Sequence, residues 1–83
     1  STQHNARQAA HHHASRGWRR VLALYDTRNS IYSEDWLSAY REAIGTHGGR
    51  LVQALPFNSG QPDSYQQAVR QLHGREADAI IYV

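Results

Sequence analysis

Between Asp26 and Ser33 the chain reads Asp-Thr-Arg-Asn-Ser-Ile-Tyr-Ser, the segment best supplied with side chains able to hold a small polar molecule. Thr27, Asn29 and Ser30 carry hydrogen-bond donors and acceptors, and Asp26 adds a carboxylate. Tyr32 offers an apolar ring with a polar tip, which suits contact with a small organic ligand. A helix starting in the same stretch contributes free backbone N–H groups. These residue types also favour turns and helix caps, so the segment serves a turn as readily as a site.

Other reactive-looking residues carry less. His11-His12-His13 suggests a metal, because imidazole is the commonest metal ligand. Consecutive helical residues, however, point about 100° apart and cannot all face one ion. His4 and His11 lie two turns apart, too far for simple chelation, so no metal site is assigned. Asp26 with His47 or His73 would make an acid–base pair, but both histidines fall near helix C-termini, at the opposite edge from Asp26. No catalytic group is therefore assigned, and a non-enzymatic protein is expected.

No Gly-x-Gly-x-x-Gly follows a strand and no Gly-x-x-x-x-Gly-Lys-Ser/Thr occurs, so neither dinucleotide nor nucleoside-triphosphate binding has support. A phosphoacceptor site needs several acidic residues and a lysine, and the chain has only Asp26 in position and no lysine. Cysteine is absent, which removes disulfide and thiolate chemistry. No cofactor is expected. The formal charge is only +2 and the nine arginines are dispersed rather than striped, which argues against nucleic acid as a partner.

The elements that must position the loop follow from hydropathy. In 83 residues, 40% apolar and 19% charged, the composition is that of a globular chain. A chain of this size buries only roughly 60–65% of its unfolded surface. Val21–Tyr25 and Ala79–Val83 are far short of the ~20 apolar residues a membrane helix needs, so no membrane insertion is expected. The start is polar, lacks the apolar stretch of a signal peptide and does not open on Met, which reads as a piece of a longer chain.

Residues 1–16 fit a helix with Ala6, Ala9, Ala10, His13 and Ala14 as its apolar stripe, Thr2 or Asn5 as N-cap and Gly17 as stop. Val21–Tyr25 is a continuous apolar run, the mark of a strand covered on both faces. After the Asp26–Ser30 turn, a second helix starts near Ile31 or Ser33. Ser30 or Ser33 is its cap, Glu34 and Asp35 lie in its first turn, and Trp36, Leu37, Tyr40, Ala43 and Ile44 form its buried stripe.

Gly48-Gly49 ends that helix and residues 50–57 form a second strand. Asn58–Pro62 is a loop. Asp63 opens a third helix with Gln66 in a capping-box spacing, and Tyr65, Ala68, Val69 and Leu72 share one face. Ala79–Val83 is the third strand. Trp36, Tyr40 and Tyr65 are assigned to packing.

The order α-β-α-β-α-β predicts βαβ crossovers and an α/β fold, a three-layer α-β-α sandwich around a parallel sheet. Loops leaving strand C-termini line the ligand crevice of such a sheet, which directs attention back to Asp26–Ser33. The apolar third strand has no covering element after it, so residues 1–83 are expected to be a single partial domain.

Particular segments resemble a known family. They are Gly-Trp-Arg-Arg-Val-Leu-Ala-Leu-Tyr-Asp (17–26), Tyr-Ser-Glu-Asp-Trp (32–36), Tyr-Arg-Glu-Ala-Ile (40–44) and Gly-Gly-Arg-Leu-Val (48–52). Pro-Phe (56–57), Asp-Ser-Tyr-Gln-Gln-Ala-Val-Arg-Gln-Leu (63–72) and Ala-Asp-Ala-Ile-Ile-Tyr-Val (77–83) continue the pattern. Together they resemble the C-terminal lobe of type I periplasmic solute-binding proteins, the branched-chain amino acid-binding type.

The resemblance implies a periplasmic or extracytoplasmic receptor closing on an amino acid-like solute and serving an ABC transporter permease or a signalling partner. It also implies a ligand contact at Tyr32, where Ser33 stands in place of the family's glycine. The pattern is similar, too, to the binding-protein-like domain of outer-membrane lipoproteins that activate peptidoglycan synthases. Leu-Tyr-Asp-Thr-Arg-Asn-Ser (24–30) resembles the phosphate loop of FMN-binding flavodoxins, without that loop's glycine.

Overall fold

A computed structural model describes all residues, Ser1 to Val83. Three helices alternate with three strands: α1 (Thr2–Ser15), β1 (Arg20–Asp26), α2 (Ser30–Thr46), β2 (Arg50–Phe57), α3 (Ser64–Gln71) and β3 (Ala79–Tyr82). The strands form one parallel sheet in the order β2-β1-β3. The protein is α/β, with helices on both sides of the sheet as the alternation of elements predicts.

The central place of β1 explains its unbroken apolar run. Val21 and Ala23 join one buried cluster with Ala6 and Ala10 of α1 and Leu37, Tyr40, Ala43 and Ile44 of α2. Leu22 and Leu24 point the other way, into a second cluster with Leu55, Phe57, Ala68 and Leu72. Successive strand side chains alternate between faces, so a strand covered on both must be apolar throughout.

β2 breaks that alternation once. Val21 pairs with Leu51 and Leu22 with Gln53, leaving Val52 as an inserted residue. The bulge turns both Leu51 and Ala54 toward the α1–α2 layer although they are three residues apart.

Two contacts hold the strand starts together. A Cβ at Gly49 would lie 2.9 Å from the Arg19 carbonyl and 2.9 Å from Ile44 Cγ1, so only glycine lets β2 begin this close to β1. Asp78 Oδ2 accepts from the backbone N–H groups of Arg19 (2.8 Å) and Arg20 (2.9 Å), fastening the segment before β3 to β1.

Several helix starts differ from the expected ones. The N-cap of α1 is Ser1, whose hydroxyl accepts from the His4 N–H, rather than Thr2 or Asn5. α2 begins at Ser30 with Asn29 at the N-cap position and no side-chain cap, so Glu34 and Asp35 fall in its second turn. Asp63 precedes α3 but caps nothing through its side chain. The Ser64 hydroxyl turns back instead and accepts from the Asn58 N–H at 2.8 Å. Ser33 and Ser64 bond backbone groups outside their helices, the Asp26 carbonyl and the Asn58 N–H, which shows how short polar side chains find partners other than a helix end. No helix is long and apolar enough to cross a membrane.

Candidate functional site

Paired strand ends build the candidate site. Asp26 lies opposite Phe57 in the register of β1 and β2, so the segments after both strands emerge at one edge. Thr27–Asn29 form a single 3-10 turn, from which α2 begins directly. Asp26 Oδ1 accepts from the Arg28 N–H at 3.1 Å and from the Ser59 N–H at 3.2 Å, tying the β1–α2 turn to the β2–α3 loop. Hydrogen bonding from Ser59, foremost, and from the Arg28 N–H holds the Asp26 carboxyl below the usual carboxylate range.

This arrangement divides the five predicted residues. Asp26 is committed to cross-loop bonding and serves as the anchor of the edge. Thr27 and Asn29 are exposed in the turn, and Ser30 is half-buried at the first position of α2. Tyr32, 41% exposed, stands on the first turn of α2 beside exposed Ile31. Ser33 is buried and its hydroxyl donates to the Asp26 carbonyl at 3.4 Å, so it braces the turn from beneath. Thr27, Asn29, Ser30 and Tyr32 thus share one edge, and none of the four lines any of the three main concavities. One of these, about 320 Å³, is lined by Tyr25, Glu34, Leu37, Ser38, Arg41 and Ala54.

The β2–α3 loop belongs to the same edge and was not among the predicted residues. Asn58 Oδ1 accepts from the Gly60 N–H at 2.8 Å, and Arg28 lies over Gly60, its Cδ 3.6 Å from where a Cβ would sit. The signal for this loop was Asn-Ser-Gly directly after a strand, and the parallel sheet requires it to lie beside the Asp26 turn. Next to it, Phe57 packs with Tyr65 (5.4 Å between ring centroids) and Tyr82 (5.4 Å), extending the edge with aromatic surface.

The histidine run sits elsewhere. His13 packs against Trp18 and Tyr40 on the α1–α2 side, and His11 meets His47 across those helices. No group of three or more His, Cys, Asp or Glu is arranged to hold a metal ion. Comparison with known families, curated proteins and solved structures gives no match for the chain.

Proposed function

We propose that the chain forms part of one lobe of a solute-binding receptor, with the turn after β1 as one wall of the ligand cleft and Tyr32 as the leading contact. The observation behind this reading is the position of β1. The chain leaves it for β2 on one side and returns to β3 on the other, with α2 and α3 on opposite faces. Such a reversal opens a crevice at the C-terminal ends of the strands. Thr27, Asn29, Ser30 and Tyr32 stand there with side chains not buried in the core. Likeness in residues 17–83 to type I solute-binding receptors supports an amino acid-like solute, capture without catalysis, an extracytoplasmic site and a transporter or signalling partner.

Thermal stability of the complete receptor with amino acids and small metabolites tests the reading. A true ligand at a hundred times its Kd adds about 2.7 kcal/mol. Tyr32→Ala then weakens that ligand while stability without it changes by no more than about 0.5 kcal/mol, since the side chain is outside the core. Silence across the whole panel would remove the solute role and favour the protein-contact role of synthase-activating lipoproteins. Flavin released on denaturation would favour a flavodoxin.

A further inference from the structure

We propose that the C-terminal turn of α1 is an acid-released latch, which frees α1 from α2 as the pH drops below neutral while the sheet stays assembled. α1 brings little apolar bulk to its partner, since its buried residues are Ala6 and Ala10. The bulky contact is His13. Its ring lies 5.0 Å from Trp18 and 5.6 Å from Tyr40, and Tyr40 stacks on Trp36 at 5.0 Å. His13 Nδ1 is 2.8 Å from the Tyr40 hydroxyl. Tyr40 is fully buried and its hydroxyl bonds only to this nitrogen.

Neutral imidazole suits that geometry. Burial pushes the Tyr40 phenol up to about 12, so it stays protonated, and with His13 as its Nε2–H tautomer it donates to Nδ1. Once Nδ1 carries a proton it can only donate to the phenol oxygen, and the phenol O–H is left without an acceptor. An unpartnered buried hydroxyl is destabilising, because it gives up its hydrogen bond to water and gains none in return.

The neighbour repeats the pattern. Arg16 Nε donates to His12 Nε2 at 3.2 Å, so this nitrogen also acts as an acceptor, and a proton there would face a guanidinium.

Every element around His13 points the same way. α1 contributes His12 and Arg16, α2 contributes the Tyr40 phenol, and the segment before β1 contributes the uncharged Trp18, over which Arg16 sits at 5.6 Å. The charges acting on His13 are those of His12 and Arg16, both repelling a proton. Further along the interface, His11 of α1 meets His47 of α2 at 5.4 Å, a contact that becomes repulsive when both rings are charged. Arg7 of α1 shares a groove with Asp35, Glu42 and His47 of α2.

Residues 1–16 hold four of the six histidines and two arginines but no carboxylate, so acid charges α1 without compensation. The favourable pull of a helix C-terminus on His⁺ is blunted here. The last carbonyls already accept from the N–H groups of Arg16, Gly17 and Trp18 and from the Ser15 hydroxyl.

The sign follows from linkage. Burial, then His12 and Arg16, lower the His13 pKa from its usual 6.5. The unfolded chain therefore takes up the proton first, and docking stability is present above that value and lost as the pH falls below it.

Hydrogen exchange of the whole chain at pH 7.5 and 5.5, corrected for intrinsic rates, tests the latch. Amides of α1 should lose protection at the lower pH while those of β1 keep it, and His13→Gln should remove the difference. Loss of protection in α1 and β1 together, or an unchanged profile in His13→Gln, would overturn the proposal. A wild-type NMR titration needs no variant: His13 should titrate below its usual 6.5, and a midpoint at or above that value would count against the latch.

Discussion

Asp26 and Asp78 show what a single carboxylate does in a chain with few of them. Each accepts two backbone N–H groups, Asp26 those of Arg28 and Ser59, Asp78 those of Arg19 and Arg20. These bonds, from Arg20 foremost at Asp78 and from Ser59 foremost at Asp26, lower both pKa values from 3.8. A carboxylate with a lowered folded pKa adds stability that is present above its unfolded pKa and lost as pH falls through the folded one. Melting temperature should therefore fall from pH 5 toward pH 2.5, and more gently in the Asp26→Asn, Asp78→Asn double variant. Parallel slopes in the two proteins would show that these bonds do not hold the strand ends.

The candidate site was legible in part for the same reason. Asp26, Thr27 and Asn29 announce a turn by residue type alone. Ser59 is 33 residues further on, and its tie to Asp26 exists only because β1 and β2 pair. Ser33 read as a cap, yet the earlier start of α2 turns it inward.

Elements were legible where apolar spacing marks them and illegible at their ends. The stripes of α1 and α2 point into the core as their spacing demands, with Ala6, Ala10, Leu37, Tyr40, Ala43 and Ile44 buried. Caps depend on which of several short polar side chains reaches a free N–H first, and spacing alone does not decide that contest. α3 makes the difference measurable. Asp63 stands in capping-box spacing with Gln66, but its side chain caps nothing, whereas Ser64 accepts from the Asn58 N–H. Ser64→Ala should cost about 1 kcal/mol in a urea melt. Asp63→Ala at moderate salt should stay within about 0.5 kcal/mol, because only a screened charge near the helix start is lost. The reverse ranking would mean that the capping box forms in solution.

At the scale of the molecule, the parallel α/β class follows from two continuous apolar runs separated by amphipathic helices. Strand order does not, because nothing in residues 50–57 or 79–83 says which side of β1 each will take. The order β2-β1-β3 has an energetic consequence that sequence alone hides: two apolar residues on one sheet face meet different surroundings. Leu22 on β1 is 1% exposed among Leu24, Leu55, Phe57, Ala68 and Leu72. Its neighbour in register, Ile80 on β3, is 60% exposed, beside a groove of about 460 Å³ that Tyr65, Val69 and Tyr82 also line. Leu22→Ala should cost about 2–5 kcal/mol. That is a large share of the roughly 4–12 kcal/mol open to a chain of this length. Ile80→Thr keeps a β-branched residue in the strand and should cost less than about 1 kcal/mol, since most of the side chain is already in water. Urea midpoints at a shared slope measure both. Comparable losses would mean that the face between α3 and β3 is covered in solution, and the exposure of Ile80 and Tyr82 would then need another cause.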